Sequence, residues 1–208
     1  MHFETLQSHL DIILHKFSQD EFYERLKEAK KKYFKIAGVV NEEDDEYESK
    51  MNLFNDWYLF HFLETGLNSS YVNAYLKSVK LDQELDRSLR NVNYSLYQLI
   101  SRKQDKIKIK DHFSNIKFTL AQDNGPIGCV DGDVFIGRTL SIDNSFYLLK
   151  GMCILPKGIE NVLKRRVKKI RRLKDPNLQY DFLLQLESLK IKWLRYGHIE
   201  AEKIFNFS

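Results

Sequence analysis

Lys106-Ile107-Lys108-Ile109-Lys110 and Ile116-Lys117-Phe118-Thr119-Leu120 alternate polar and apolar side chains at every step. Successive side chains of a strand point to opposite faces, so the alternation predicts strands with one wet face. Upstream, Tyr94-Ser95-Leu96-Tyr97-Gln98-Leu99-Ile100 has the same texture. Downstream come Gly128-Cys129-Val130, Asp133 to Arg138, Phe146 to Leu149 and Met152 to Leu155. Turn signals punctuate them at Asp123-Asn124-Gly125-Pro126, Asp131-Gly132 and Asp143-Asn144. Five or so short strands over residues 93–156 predict a small, strongly bent antiparallel sheet or barrel-like unit.

On either side the apolar period changes to that of helices. Phe3, Leu6, Leu10, Ile13 and Phe17 share one helical face. Ser18-Gln19-Asp20-Glu21 has the form of a capping box. It would open a helix carrying Phe22, Leu26, Ala29, Tyr33 and Ile36, with Gly38 as its stop. Asn41 to Glu48 is acidic and reads as an exposed loop or frayed first turn. From Met51 to Leu63 the chain is apolar on nearly every side, which predicts a buried helix. Thr65 to Ser70 reads as a turn, and shorter helices are expected over 71–79 and 82–91. After Pro156, the residues Ile159, Leu163, Val167, Ile170 and Leu173 form an apolar stripe. Asp175-Pro176-Asn177 breaks the chain, and a last helix is expected from about Gln179 to Ile204, with Phe182, Leu186, Leu189, Trp193, Leu194 and Ile204 in the core. The fold class is therefore α+β: N-terminal helices over 1–92, the β-unit over 93–156 and C-terminal helices over 157–208.

The chain has 208 residues, 43% hydrophobic and 30% charged, with only 9 Gly and 3 Pro, so it can bury a core and is not a disordered or collagen-like sequence. No apolar run has the length of a membrane-spanning helix, and Met1-His2-Phe3-Glu4 does not open a signal peptide, so a cytoplasmic protein is expected. Cys129 and Cys153 are too few for a disulfide scaffold or a thiolate zinc site and read as small core residues, although adjacent strands could pair them.

Motifs of catalysis are missing. No Gly-x-Ser-x-Gly, phosphate-cradling Gly-rich loop, dinucleotide fingerprint or His-Glu-x-x-His occurs, so no catalytic residue, metal or cofactor is assigned. Asp131-Gly132-Asp133 could hold a divalent cation but reads as a turn. His61, inside an apolar segment, reads as a buried and hydrogen-bonded core residue. His112, after Asp111, is a conceivable acid or base without a visible partner.

Charge is the one feature with force. Residues 1–100 carry 12 Lys and Arg against 17 Asp and Glu, whereas residues 101–208 carry 21 against 12. The excess is densest at Lys164, Arg165, Arg166, Lys168, Lys169, Arg171, Arg172 and Lys174, on the wet face of one helix. Such density repels itself, and an anionic partner relieves it. Nucleic-acid phosphates, an anionic membrane and an acidic protein surface all fit, the last including the chain's own Glu42–Glu48 loop. The membrane fits least, because the apolar face has no Trp or Phe to enter a bilayer interface. A merely solvated helix also satisfies the pattern.

Phe54-x-x-Trp57-Tyr58-x-Phe60, then Ser95-Leu96-Tyr97, the Lys106–Asp111 strand, Gly132-Asp133-Val134-Phe135-x-Gly137-Arg138 and Gly151-Met152-x-x-Leu155-Pro156 follow in order. Over roughly residues 50–156 this order resembles an uncharacterised bacterial family of helical proteins with a small β-domain. Some of its members carry a SEC-C-type Cys/His zinc motif, which is absent from this sequence. The resemblance implies the same architecture and brings no catalytic residues. The leading expectation is a non-enzymatic binding or adaptor protein that presents the basic helix to nucleic acid. The alternatives are a protein-interaction or structural module and, third, a metal-dependent enzyme built on Asp131, Asp133 and His112.

Overall fold

The computed structural model describes residues 3–63, 69–104, 106–124 and 127–207. Five helices lead the chain: α1 (Phe3–Lys16), α2 (Tyr23–Ala37), α3 (Tyr47–Phe60), α4 (Tyr71–Ser78) and α5 (Gln83–Arg90). Strands β1 (Asn93–Lys103), β2 (Lys106–Asp111), β3 (Lys117–Thr119), β4 (Val134–Ile142) and β5 (Ser145–Ile154) follow, and α6 (Glu160–Leu173), α7 (Pro176–Arg195) and α8 (Ala201–Ile204) close it. The α+β class stands.

The strands form one antiparallel sheet in the order β3-β2-β1-β4-β5. The β4–β5 hairpin turns on Asp143 (φ 50°) and Asn144 (φ 61°), both left-handed, as a type I′ turn demands. A bulge interrupts β1 between Leu99 and Ser101, and extra residues of β5 between Leu148 and Met152 shift its register against β4 at Gly137 and Thr139; such bulges increase bend and twist. The sheet curls until its edges meet: Leu120, just past β3, bridges Phe146 of β5, and the Ala121 N–H donates to the Phe146 carbonyl at 2.8 Å. Arg102 holds the intervening loop by donating to the Ile127 and Cys129 carbonyls at 2.8 and 3.0 Å.

Because strand side chains alternate, the two faces enclose separate cores. Tyr97, Leu99, Ile109, Phe135 and Leu148 fill the concave side together with Cys129. Leu96, Ile136, Leu140, Leu149 and Cys153 face the helices. The two cysteines are buried and free on opposite sides of the sheet. Helix α3 lies against β5, and the approach depends on Gly151, where a Cβ would fall 2.3 Å from Asp56 Oδ2 and 2.9 Å from the Asn52 carbonyl oxygen.

Local details depart from the sequence reading for identifiable reasons. No capping box forms at Ser18, whose hydroxyl donates back to the His15 carbonyl; Asp20 is left-handed, and a short 3-10 turn (Asp20–Phe22) takes the corner before α2. Gly38 does end α2 (φ 91°), tight against Ile191 of α7, which buries Ala37 and leaves Ile36 exposed. Leu173 and Leu194, expected in the core, are 65% and 42% exposed because each sits at the end of its helix. Ser145–Ile154 makes one long strand where two were expected, with Leu155 just past its end, and Gly128–Val130 makes none. Asp175 is the N-cap of α7, accepting from the Asn177 N–H, and Pro176 is its first residue, where a missing N–H costs nothing. That helix stops at Arg195, well short of Ile204. The turn expected over Thr65 to Ser70 lies largely outside the described residues, as do Gly125 and Pro126 of the turn expected there.

Candidate functional site

Helix α6 buries Leu163, Val167 and Ile170 and turns its cations outward; of the eight basic residues only Arg166 is half-buried. The structure divides them between two flanks. Lys164, Lys168, Arg171 and Arg172 face strand β2, where Lys110, His112 and Asn115 complete an open cleft of about 470 Å³. Arg165, Arg166 and Lys169 face the C-terminal segment beside Glu202, Phe205 and Phe207, with the Arg166 guanidinium 6.0 Å from the Phe207 ring. Lys174 lies just beyond the helix in a left-handed conformation.

The first cleft contains five cations and no carboxylate. Among the described residues none of the eight cations, seven on α6 and Lys174 just past it, has a carboxylate oxygen within 4.0 Å. Cationic density continues onto the sheet, because Lys110 sits directly across from Lys117 on β3, and like charges in that register repel. Burial, together with the Lys110 and Lys164 ammoniums, pushes His112 down to about 4, so its ring is neutral at pH 7.

The turn beside the cleft is built by Asp111. Its carboxylate accepts from Ser95 Oγ (2.6 Å), Asn93 Nδ2 (3.0 Å) and the N–H groups of Phe113 (2.8 Å) and Ser114 (3.3 Å). Asn115 then takes a left-handed conformation (φ 64°), which Asn tolerates better than most residues. This scaffold sets His112 and Asn115 on the cation side. Sequence reasoning found the α6 cations and missed Lys110 and Lys117. The alternation in 106–110 put three lysines on one face, but nothing local announced that α6 would pack beside them.

The other candidates separate. Asp133 accepts from the Val130 N–H at 2.8 Å and lies 3.8 Å from Lys157, while Gly132 (φ 92°) makes the turn into β4. His112 follows β2 and Asp133 precedes β4, on opposite flanks of β1. Among the described residues no three His, Cys, Asp or Glu side chains gather as metal ligands. The acidic loop meets α7 rather than α6: Glu46 pairs with Lys190 at 3.1 Å, and Arg195 donates to the Val39 carbonyl.

A second polar cluster, unforeseen from the sequence, is buried between α2, α3, β1, β4 and α7. Glu187, 1% exposed, accepts from Lys50 Nζ (2.9 Å), Tyr33 OH (2.5 Å) and Tyr94 OH (2.6 Å). Burial pushes its carboxyl up, but the Lys50 charge and these three hydrogen bonds outweigh burial and leave it below the ordinary glutamate value. Arg138, equally enclosed, stacks on Tyr94 at 4.1 Å, and its Nε and one terminal nitrogen have no protein partner. Asp56 is pushed up to about 6 by burial, against the pull of Arg138. His61 packs between Tyr94 and Tyr180; contrary to expectation its buried Nε2 lacks a hydrogen bond, and burial followed by the Arg138 charge pushes it down to about 3.

No curated protein and no solved structure matches the chain. No described helix is long and apolar enough to cross a membrane. The family described as "Family of unknown function (DUF7986)" matches residues 12–180, which takes in the end of α1, helices α2 to α5, the whole sheet, α6 and the start of α7. That match extends well beyond residues 50–156 at both ends, and the chain belongs to this family of unknown function.

Proposed function

We propose that this chain is a non-enzymatic cytoplasmic binding protein that holds nucleic-acid phosphates in the cleft between α6 and β2. One observation carries the reading: five cations converge in a cleft lined by no carboxylate, and none of its four helix cations has a carboxylate oxygen of the described residues within 4.0 Å. Uncompensated charge at this density raises the energy of the folded state, and a polyanion lowers it while releasing counterions. Arg171 and Arg172 can each grip a phosphate through two N–H groups, whereas Lys110, Lys164 and Lys168 act as point charges. No metal, cofactor or catalytic group enters this reading. Two buried, unpaired thiols fit a reducing compartment.

The test is fluorescence anisotropy of short labelled DNA and RNA strands across a salt series. If all five cations meet phosphates, the log–log slope approaches about −3.5 on single strands and about −4.5 on duplex. The Lys164→Glu, Lys168→Glu, Arg171→Glu, Arg172→Glu variant is expected to abolish retention with an unchanged circular dichroism spectrum. Undiminished binding by that variant, or no binding at low salt, overturns the proposal. In the second case, capture of an acidic protein by the same face becomes the reading to pursue.

A further inference from the structure

The turn that edges the cation cleft also edges a second one. His112 and Asn115 line the first; Asp111, Phe113, Ser114 and Ile116 line the other, which has a similar volume of about 470 Å³. Within a few residues the chain thus sends its side chains to two neighbouring concavities of opposite character. The second has no Lys or Arg and is lined in large part by apolar groups. Phe118 and Phe146, half-buried with rings 4.3 Å apart, form one wall, and Ile116, 59% exposed, stands at the rim.

Its polar groups select by charge. Asp111 repels phosphate, and its carboxylate is already saturated by four hydrogen bonds. Asn93 has committed both of its amide N–H groups, to Asp111 and Tyr97, and Gln179 has committed one of its two, to the Tyr94 carbonyl. What Asn93 retains for a ligand is its acceptor oxygen, which suits an exocyclic amine on a flat, uncharged ring.

We infer that the paired clefts bind single-stranded nucleic acid, with the backbone in the cation cleft and an unpaired base swung across the His112–Ile116 turn onto Ile116 and the Phe118–Phe146 wall. A duplex cannot do this, because its bases are stacked and hydrogen-bonded to their partners. The inference rests on the phosphate-binding reading above and adds the substrate class to it.

The test compares three probes at one salt concentration by anisotropy: a short oligodeoxycytidine, an abasic strand of the same length, and the duplex of the same length. The phosphates of the first two are identical, so only bases distinguish them. The cytidine strand is expected to bind about tenfold more tightly than the abasic strand for each base engaged, and more tightly than the duplex. Ile116→Ser, at an exposed site whose backbone contacts it does not alter, is expected to remove most of that preference while leaving abasic binding within about twofold. Equal binding of cytidine and abasic strands, tighter binding of duplex, or an unchanged preference in Ile116→Ser overturns the base subsite and leaves the phosphate cleft standing. If none of the three probes binds, the phosphate reading itself fails, and this one with it.

Discussion

Replacing Glu187 by Gln tests how the interior is held together. Glu187 is the anion that makes Lys50 tolerable at 3% exposure. The Lys50 ammonium sits 2.9 Å from the carboxylate and 2.6 Å from the Ala37 carbonyl oxygen, with its charge 4.9 Å from the Tyr33 ring. Gln keeps the shape and one acceptor for Tyr33 or Tyr94, but it removes the charge and points an N–H₂ into a group of donors. Stranding one member of a buried pair costs about 3–5 kcal/mol. For a chain of this size each kcal/mol lowers the melting temperature by about 2–4 °C, so a drop of roughly 6–20 °C is expected.

The double variant Lys50→Met, Glu187→Gln separates charge from packing. With the ammonium gone, the Gln amide is left among the two tyrosine hydroxyls alone, and the double variant is expected to recover at least about 2 kcal/mol relative to Glu187→Gln. Urea unfolding followed by circular dichroism gives both numbers. A loss below about 1 kcal/mol in the single variant, or a double variant no more stable than it, refutes the claim that Glu187 acts through Lys50.

Asp56 gives a pH-dependent counterpart. Its carboxyl is raised to about 6 in the fold, so the folded chain holds a proton that the unfolded chain releases near the ordinary value of 3.8. Its contribution is therefore fully present below pH 3.8 and is lost as pH rises through 6. Asp56→Asn mimics the protonated form and is expected to exceed the parent's stability by roughly 3 kcal/mol at pH 7, converging with it near pH 4. Urea midpoints at stepped pH values read this directly, and a gap that fails to grow between pH 4 and 6 counts against it. At Gly151 an added methyl group meets Asp56 Oδ2 and a backbone carbonyl, whereas at Gly137 the nearest atom is the flexible Leu148 Cδ1 at 3.1 Å. Gly151→Ala is accordingly expected to lose about 1–3 kcal/mol and Gly137→Ala clearly less; the reverse order in thermal melts contradicts the packing described for α3 on β5.

Period and turn chemistry were enough to read most of the architecture, because they act locally. The 106–110 alternation, Asp143-Asn144 and the α6 stripe each encode their own geometry within a few residues. Boundaries set by tertiary contact were not legible. Ser18-Gln19-Asp20-Glu21 carries the letters of a capping box, yet the chain must turn a corner there, and Asp20 is left-handed instead. Gly151 reads as a strand break until α3 is seen resting on it. The basic helix stood out by composition, but its partner strand did not: Lys110 and Lys164 are 54 residues apart in sequence and meet only because α6 packs beside β2. The buried Lys50–Glu187 pair was invisible for the same reason, since each residue alone resembles any charged residue on a helix.

The two charged regions differ in a way that bears on function. Inside the fold Lys50 faces Glu187, three hydrogen bonds converge on that carboxylate, and Arg138 stacks on Tyr94. The acidic loop is joined to α7 by the Glu46–Lys190 pair, and Arg195 holds the chain just before the loop at the Val39 carbonyl. Lys50–Glu187 and Lys190–Glu46 are thus ion pairs closed across 137 and 144 residues. Beside those pairs, a cleft with five cations and no carboxylate stands apart, and repulsion between Lys110 and Lys117 across the β2–β3 ladder deepens the contrast. A helix that needed only solubility would do as well with mixed signs, which repel less. The neighbouring cleft, lined by the same turn and free of cations, extends that asymmetry from charge to shape. Alternating charge and flatness is the chemistry of a polynucleotide strand, and the His112–Ile116 turn separates the two as such a strand does between phosphate and base.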